Sequence, residues 1–198
     1  MKINLILASS SKYRQNLFKK IGWKYNVIKS MKEESSDATN PEQYVIELSK
    51  DKAESVSDQI NEKAIIVAAD EILYMNGKIF EKPNNKAEAI ENLKLMSGNV
   101  VNAVTGVTIK DLYNNKEISF SDITKIHLKS LSTEDINWYI ENEKDILNCC
   151  GFVIEGKGAT FIDKIEGDYN TTIGISVSKL YDKFKELGYK PSDFELIN

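Results

Sequence analysis

The chain has 198 residues, of which 41% are hydrophobic and 28% are charged, and its formal net charge is −4. This length and balance indicate one globular domain, or two small lobes that share a sheet, with a core large enough to need no disulfide. The acidic balance disfavours nucleic acid as a partner, because such proteins bind phosphates mainly through Lys and Arg. It still allows a local basic site that binds one phosphorylated small molecule.

Membrane and zinc-binding classes are disfavoured as well. No apolar run approaches the roughly 18–20 residues that span a bilayer, and the first residues lack the pattern of a signal peptide. Cys149 and Cys150 are adjacent, a spacing at which disulfides are rare, so a cytoplasmic location is expected. One His and two Cys cannot build a usual zinc site. Any metal is therefore expected to be a hard cation held by oxygen, such as Mg²⁺ or Mn²⁺.

Strand-like and helix-like segments alternate along the chain, which predicts a mixed α/β protein. Strands are predicted over residues 3–8, 24–29, 64–69, 100–109, 119–128, 151–155 and 159–165, with one more strand and a turn at Asn76-Gly77. Helices are predicted over residues 12–21, 41–57, 84–96, 133–142 and 176–187, the fourth of them capped by Thr133. The helix after the first strand favours a parallel crossover, and the stretch 100–128 favours an antiparallel part.

The stretch SSSKYR, residues 9–14, places two cations at the start of a helix, where the helix dipole disfavours them. Free amide groups and the positive dipole end make such a helix start a site for anions. With a phosphate bound there, Lys12 and Arg14 would face a ligand instead of an empty helix end. The alternative is that Ser11 is only an N-cap and that both cations are solvated.

Two acidic residues, Asp70 and Glu71, directly follow the buried strand AIIVAA. Open α/β sheets bind ligands at the carboxyl ends of their strands, and an acid there can hold a metal or activate water. A turn aspartate would explain the same pattern. Taken alone, Lys52, Lys82 and Glu34 are typical of surface residues.

These pieces occur in one order: LILASSS-x-x-R, KEE, LSKDKA, AAD, G-x-x-x-x-K-P at residues 77–83, MSG, VTGV, IEG at 154–156 and IEGDYNTTIGI at 165–175. In this order they resemble the Maf family of nucleoside triphosphate pyrophosphatases, from about residue 4 to about residue 188. The resemblance implies an elongated central mixed sheet with helices and two lobes around a cleft, related to the inosine-triphosphate pyrophosphatases. It implies one domain over residues 1–198 and suggests a homodimer.

The implied reaction converts a nucleoside triphosphate and water into a nucleoside monophosphate and pyrophosphate, with a divalent cation. The implied catalytic residues are Asp70, Glu34, Lys52 and Lys82. Asp70 and Glu34 are also the implied metal ligands, and Glu33 lies beside Glu34 in the sequence. The implied phosphate loop consists of Ser9, Ser11 and Arg14. Asp70 is expected to be the general base toward water, and the cations to neutralise charge that develops on phosphate oxygens.

Three positions set the base preference in this family, and they carry Tyr13, Glu71 and Glu155 here. Members that act on UTP and dTTP usually show Arg, Thr and Gln, whereas a subgroup that acts on 7-methyl-GTP shows an aromatic residue, an amide and Glu. A carboxylate at Glu155 accepts both donors of the guanine edge, and Tyr13 can stack on a cationic 7-methylguanine. The predicted substrate is 7-methyl-GTP, with UTP, dTTP or another modified nucleoside triphosphate as the alternative.

Some residues depart from the family pattern: Lys12, Glu71, Glu81, Cys150 and Ser176. A glutamate beside Lys82 can pair with that lysine and weaken its contact with phosphate. These departures bear on substrate range and rate more than on the fold. A second function class is a non-catalytic nucleotide-binding regulator of septum formation, which the presence of all the implied catalytic residues disfavours.

Overall fold

The computed structural model describes residues 2–32 and 34–197. The helices within them are α1 Lys12–Lys20, α2 Pro41–Ser57, α3 Lys86–Met96, α4 Thr133–Asn142 and α5 Val177–Glu186. The strands are β1 Leu5–Ala8, β2 Asn26–Val27, β3 Ile65–Met75, β4 Lys78–Phe80, β5 Val100–Asp111, β6 Lys116–Leu128 and β7 Ile162–Glu166. Short 3-10 segments cover Lys157–Phe161, Tyr169–Ile173 and Pro191–Asp193. None of the helices in the described part of the chain combines the length and apolar character needed to cross a membrane.

The strands form one seven-stranded sheet in the order β2-β1-β3-β5-β6-β7, with β4 paired to β3. Strand β1 runs parallel to both β2 and β3, with Ile6 opposite Ile66 and Ala8 opposite Ala68. The pairs β3–β4 and β6–β7 are antiparallel. The predicted mixed α/β fold is confirmed, including the parallel connection that leads out of β1 through α1.

The chain folds into two compact units. The first holds the described residues up to 71, residues 105–122 and the described residues from 174 onward, and the second holds residues 72–104 and 123–173. Strands β3, β5 and β6 contribute to both.

The core of the first unit is built on β1 and the first half of β3, whose residues are buried throughout. Continuous burial is typical of a parallel strand that is covered on both faces. Helix α2 covers one face by packing Ala53 and Val56 beside Ile6 and Ile66. The helix starts where predicted because the Asn40 side chain accepts hydrogen bonds from the first free amides and Pro fits the first helical position.

Helix α2 passes very close to β5 at Gly106. A Cβ at this position would overlap the backbone carbonyl of Val45 and stand 2.6 Å from the amide nitrogen of Ile46. Only glycine has no side chain to occupy that space. The VTGV motif therefore sets the distance between helix and strand.

A chain of three hydroxyl groups joins α2 to the sheet beside that approach. Ser49 Oγ lies 2.7 Å from Thr108 Oγ1, which lies 2.9 Å from Ser119 Oγ, and Ser49 also donates to the carbonyl of Ile46 at 2.8 Å. Ser49 and Thr108 are fully buried. Because polar groups in a core need partners, this hydroxyl chain favours one orientation of α2.

Two predicted strands differ from the structure. Strand β3 does not end before Asp70 but continues to Met75, because its last three residues pair with β4. Residues 151–155 form an irregular segment that ends in a turn, and not a strand. Their apolar side chains are buried there, and the amide of Val153 donates to the hydroxyl of Tyr139 at 2.7 Å, which replaces a strand partner.

Several element ends differ as well; β7, for example, begins at Ile162 where residue 159 was predicted. Strand β2 has two residues where six were predicted. The N-cap of α4 is Ser132 and not Thr133, because Ser132 Oγ accepts from the amide of Asp135 while the Asp135 carboxylate accepts from the amide of Ser132. This reciprocal capping box satisfies two amides at once, which a cap at Thr133 would not do.

A buried carboxylate, Asp111, ties the end of β5 to the C-terminal part of the first unit. It accepts hydrogen bonds from the amides of Tyr113 and Asn114 at 2.9 and 3.2 Å, and from the Tyr189 hydroxyl at 2.9 Å. Burial, and then the bond to Asp111, raises the pKa of Tyr189 above its usual range.

Replacing Asp111 by Ala should therefore destabilise the protein strongly. The change leaves buried donors without an acceptor, and we expect the free energy of unfolding in urea to fall by about 3 kcal/mol. Asp182→Ala, an exposed change on α5, is the control and should stay within about 0.5 kcal/mol of the parent protein. Equal midpoints for the two variants would contradict this account of Asp111.

Candidate active site

The turn between β1 and α1 brings together Ser9, Ser11 and Arg14. Ser11 caps α1, with its Oγ accepting from the amide of Arg14 at 3.4 Å. Ser9 Oγ accepts from the amide of Ser11 at 3.2 Å and from Arg14 Nη1 at 3.3 Å. On its other side, Arg14 Nε donates to the carbonyl of Gly174 at 3.1 Å. The guanidinium is thus held in one place beside the first free amides of the helix.

The second feature is an ion pair between α2 and β3. Lys52 Nζ donates to Asp70 Oδ1, and the two side chains are only 16% and 18% exposed. Because Ala8 and Ala68 are partners in the parallel ladder, the turn that starts at Ser9 and the carboxylate of Asp70 leave that ladder at the same end. The first unit therefore places hydroxyls, a guanidinium, an ammonium and a carboxylate near the carboxyl end of β1. The carboxylate of Asp70 lies inside β3, which continues to Met75, and not at the end of its strand as the sequence predicted.

Glu71 follows Asp70 on β3 and points to the opposite face of the strand. It is half-buried, and a Cβ added to Gly174 would stand 3.0 Å from Glu71 Oε2 and 2.7 Å from Arg14 Nε. Burial raises the pKa of Glu71 to about 7; the charge of Arg14 opposes this rise and that of Asp70 adds to it. The side chain thus lies next to Arg14, where the sequence predicted a residue that contacts the base.

The other predicted site residues have the following placements. Glu34 is half-buried in the segment between β2 and α2, and its neighbour Glu33 lies outside the described residues. Tyr13 is half-buried in the first turn of α1. Lys82 and Glu155 belong to the second unit, where both are exposed, Lys82 between β4 and α3 and Glu155 in the turn after Ile154. The roles of these residues stay predictions.

One of the departures from the family pattern has a local explanation. Ser176, where Pro was expected, is the N-cap of α5 and accepts from the amide of Lys179 at 3.4 Å. Cys150 and its neighbour Cys149 are thiols in half-buried positions. Lys12 and Glu81 are exposed.

The sequence model of the family described as Maf-like protein matches residues 4–187. The chain belongs to the Maf family. The prediction drawn from the order of the motifs is thereby confirmed.

Other Maf proteins are similar over almost their whole length. The dTTP/UTP pyrophosphatase of Carboxydothermus hydrogenoformans is 37% identical over 94% of this chain and 100% of its own. Its namesake in Clostridium novyi is 36% identical over 94% of this chain and 98% of its own. These relatives are hydrolases of phosphoanhydride bonds in nucleotides, which confirms the predicted enzyme class.

Among solved structures, the Staphylococcus aureus Ham1 protein is similar to 63% of this Maf chain and 71% of its own, with 17% identity and a TM-score of 0.46. The dITP/XTP pyrophosphatase of Mycobacterium abscessus is similar to 94% of this chain and 95% of its own, with 8% identity and a TM-score of 0.43.

The donor set in this Maf protein suits a cation that arrives with its substrate. Among the described residues there is no group of three or more His, Cys, Asp or Glu side chains that could hold a metal by itself. Mg²⁺ usually binds through one or two carboxylates together with substrate phosphates. Asp70, partly exposed and with one oxygen engaged by Lys52, fits a shared site of that kind.

Sequence reasoning did not identify Gly174 as part of the site. This residue is the last glycine of the IEGDYNTTIGI motif, and it follows Arg14 by 160 residues in the chain. The only signal in the sequence was the presence of a glycine inside a motif already singled out. The position of its carbonyl against Arg14 could not be deduced from spacing.

Proposed function

We propose that this protein hydrolyses nucleoside triphosphates to nucleoside monophosphates and pyrophosphate, with dTTP and UTP as its preferred substrates. The observation that carries this proposal is the pair Lys52–Asp70, placed just beyond the end of the β1–β3 ladder, on the same side as the turn that holds Arg14. Membership of the Maf family and the names of its relatives support both the reaction and the bases.

The triphosphate is proposed to bind at the start of α1. The free amides of the first helical turn, the hydroxyl of Ser11 and the remaining N–H groups of Arg14 are donors suited to phosphate oxygens. Lys52 and Lys82 add positive charge, which matters most as negative charge develops on the leaving pyrophosphate. Phosphate recognition at this helix start explains why cations occupy the end of the helix that normally disfavours them.

Asp70 is proposed as the general base. Its carboxylate takes a proton from a water molecule, whose oxygen forms a bond to the α-phosphorus while the bond from that phosphorus to the bridging oxygen breaks. The electron pair of that bond leaves with pyrophosphate. Lys52 holds one carboxylate oxygen, so the other oxygen is available to the water.

A divalent cation fits next to this machinery. Asp70, together with Glu34 and the phosphate oxygens, would hold Mg²⁺ or Mn²⁺, which would neutralise phosphate charge and orient the water. Because the protein supplies few of the ligands, metal binding is expected to tighten strongly when nucleotide is present.

The base preference is the finer part of the proposal. The names of the relatives favour dTTP and UTP, which were the alternative in the sequence-based prediction. Tyr13 and Glu155 favour 7-methyl-GTP as the competing substrate, because an aromatic ring and a carboxylate suit a cationic purine. Glu71 is the third residue used to predict the base. It lies close to Arg14, so it gives weaker support for a purine substrate than Tyr13 and Glu155 do.

Pyrophosphate release from dTTP, UTP, GTP and 7-methyl-GTP, measured side by side with Mg²⁺ and then Mn²⁺, tests the proposal. We expect dTTP and UTP to be cleaved at least about tenfold more efficiently than either guanine nucleotide, a discrimination that one unmatched hydrogen-bonding edge can supply. A reaction in ¹⁸O-labelled water should place the label in the monophosphate.

Two other results would change the proposal in different ways. A clear preference for 7-methyl-GTP would overturn the pyrimidine preference and leave the pyrophosphatase reaction standing. Nucleotide binding without any cleavage would overturn the enzyme and favour the regulator. The addition of EDTA should abolish release, and an excess of Mg²⁺ should restore it.

A further inference from the structure

Arg14 is the only arginine in the chain, although Lys and Arg together number 26. A guanidinium has five N–H donors in a rigid planar fork, whereas a lysine ammonium is a compact charge on a flexible stem. In this protein the guanidinium of Arg14 donates two hydrogen bonds, from Nε to the carbonyl of Gly174 and from Nη1 to the hydroxyl of Ser9. A guanidinium held in this way can still donate from its other N–H groups to a ligand.

Two groups of opposite charge, the guanidinium of Arg14 and the carboxylate of Glu71, lie next to Gly174. A Cβ on this residue would stand 2.7 Å from Arg14 Nε and 3.0 Å from Glu71 Oε2. The residue has φ +111°, a conformation that side chains disfavour. Arg14 and Glu71 therefore share a space that exists only because residue 174 has no side chain.

We infer that Glu71 and Gly174 are positioning residues for Arg14, and that Glu71 does not read the base. Gly174 supplies the acceptor and the space, and Glu71 supplies a carboxylate close to the guanidinium. A side chain that is already held in its binding orientation loses less entropy when the ligand arrives. This inference rests on the proposed function, because the ligand assigned to Arg14 is the triphosphate.

The single arginine permits a test that needs no substrate. Its Nε–H gives one resonance of its kind in a ¹H–¹⁵N spectrum, which Arg14→Lys identifies by its loss. Glu71→Gln should shift that resonance and speed its exchange with water several-fold, and Gly174→Ala should speed exchange by about tenfold or more, as the loss of a held hydrogen bond does. An unchanged resonance and exchange rate in Glu71→Gln would overturn the inference.

Gly188→Ala is the matched control for Gly174→Ala. Gly188 has a similar φ of +95°, and nothing lies within 4 Å of the Cβ that alanine would add. The control carries the same kind of backbone strain without a clash against Arg14. It should leave the Nε–H resonance of Arg14 and the turnover unchanged.

Kinetics separate positioning from base recognition. Glu71→Gln should lower kcat/KM by about tenfold for dTTP and for 7-methyl-GTP alike, and Gly174→Ala by about a hundredfold, the effect of a misplaced group in a site. In an Arg14→Lys background, Glu71→Gln should have no further effect, because residues that act as a unit are not additive. A changed ratio between the two nucleotides, with the Nε–H resonance unmoved, would assign Glu71 to the base.

The failure of this inference is distinguishable from the failure of the proposed function. If the parent protein releases pyrophosphate from no nucleotide, the proposed function fails. The exchange measurement on Arg14 then still decides whether Glu71 and Gly174 hold that side chain.

Discussion

Asp70→Asn should reduce kcat by about a thousandfold or more, the range for loss of a general base. The amide keeps the size of the side chain and can still accept a hydrogen bond from Lys52, so the fold should be preserved. It cannot take a proton from water, and it is a poorer ligand for a hard cation than a carboxylate. The measurement is pyrophosphate release from dTTP at saturating nucleotide and Mg²⁺.

Asp122→Asn is the matched control for this loss. Asp122 also belongs to the first unit, is 12% exposed, and forms an ion pair with a lysine, Lys179 of α5. Its replacement removes the same kind of interaction away from the candidate site, and kcat should stay within about twofold. Asp70→Asn with turnover within tenfold of the parent would rule out Asp70 as the base.

Gly106→Ala should destabilise the protein by about 3 kcal/mol or more, because the added methyl group meets backbone atoms that cannot be moved aside alone. It would overlap the carbonyl of Val45 and push α2 away from β5. Chemical unfolding in urea measures the effect. If the variant still folds, turnover should fall as well, since Lys52 lies on the displaced helix.

Gly22→Ala provides the comparison. Gly22 has φ +77°, and nothing lies within 4 Å of its added Cβ, so that variant shows the cost of backbone strain alone, about 1 to 2 kcal/mol. If Gly106→Ala costs no more than Gly22→Ala, the close approach of α2 to β5 does not limit stability.

The elements that the sequence predicted well are those with strong local signals. Helix α2 begins at Pro41 and ends at Ser57 as predicted, since cap chemistry and periodicity act within a few residues. The prediction of a strand over residues 151–155 was wrong because the apolar side chains of this irregular segment are buried as those of a strand would be. Periodicity cannot distinguish the two cases over so few residues. Strand β3 was predicted too short because a charged pair, Asp70 and Glu71, resembles the end of a strand.

The candidate site was predictable as a set of residues and not as a set of contacts. The order of motifs identified Asp70, Lys52 and Arg14, but no sequence spacing joins Lys52 to Asp70 or Arg14 to Gly174. These pairings depend on tertiary packing across the first unit. The preference for 7-methyl-GTP stays a prediction, and one of the three residues on which it depends, Glu71, lies close to Arg14.

The packing of α2 against the sheet determines how accurately Lys52 is positioned relative to Asp70. Apolar contacts are non-directional, so a helix held by them alone can roll about its axis or slide along a sheet at little cost. In this protein the hydroxyl chain at Ser49 fixes the roll, and the close approach at Gly106 fixes the slide. Lys52 lies about one helical turn after Ser49 on α2. The direction in which Lys52 leaves the helix is therefore set by hydrogen bonds at Ser49 that are not part of the candidate site.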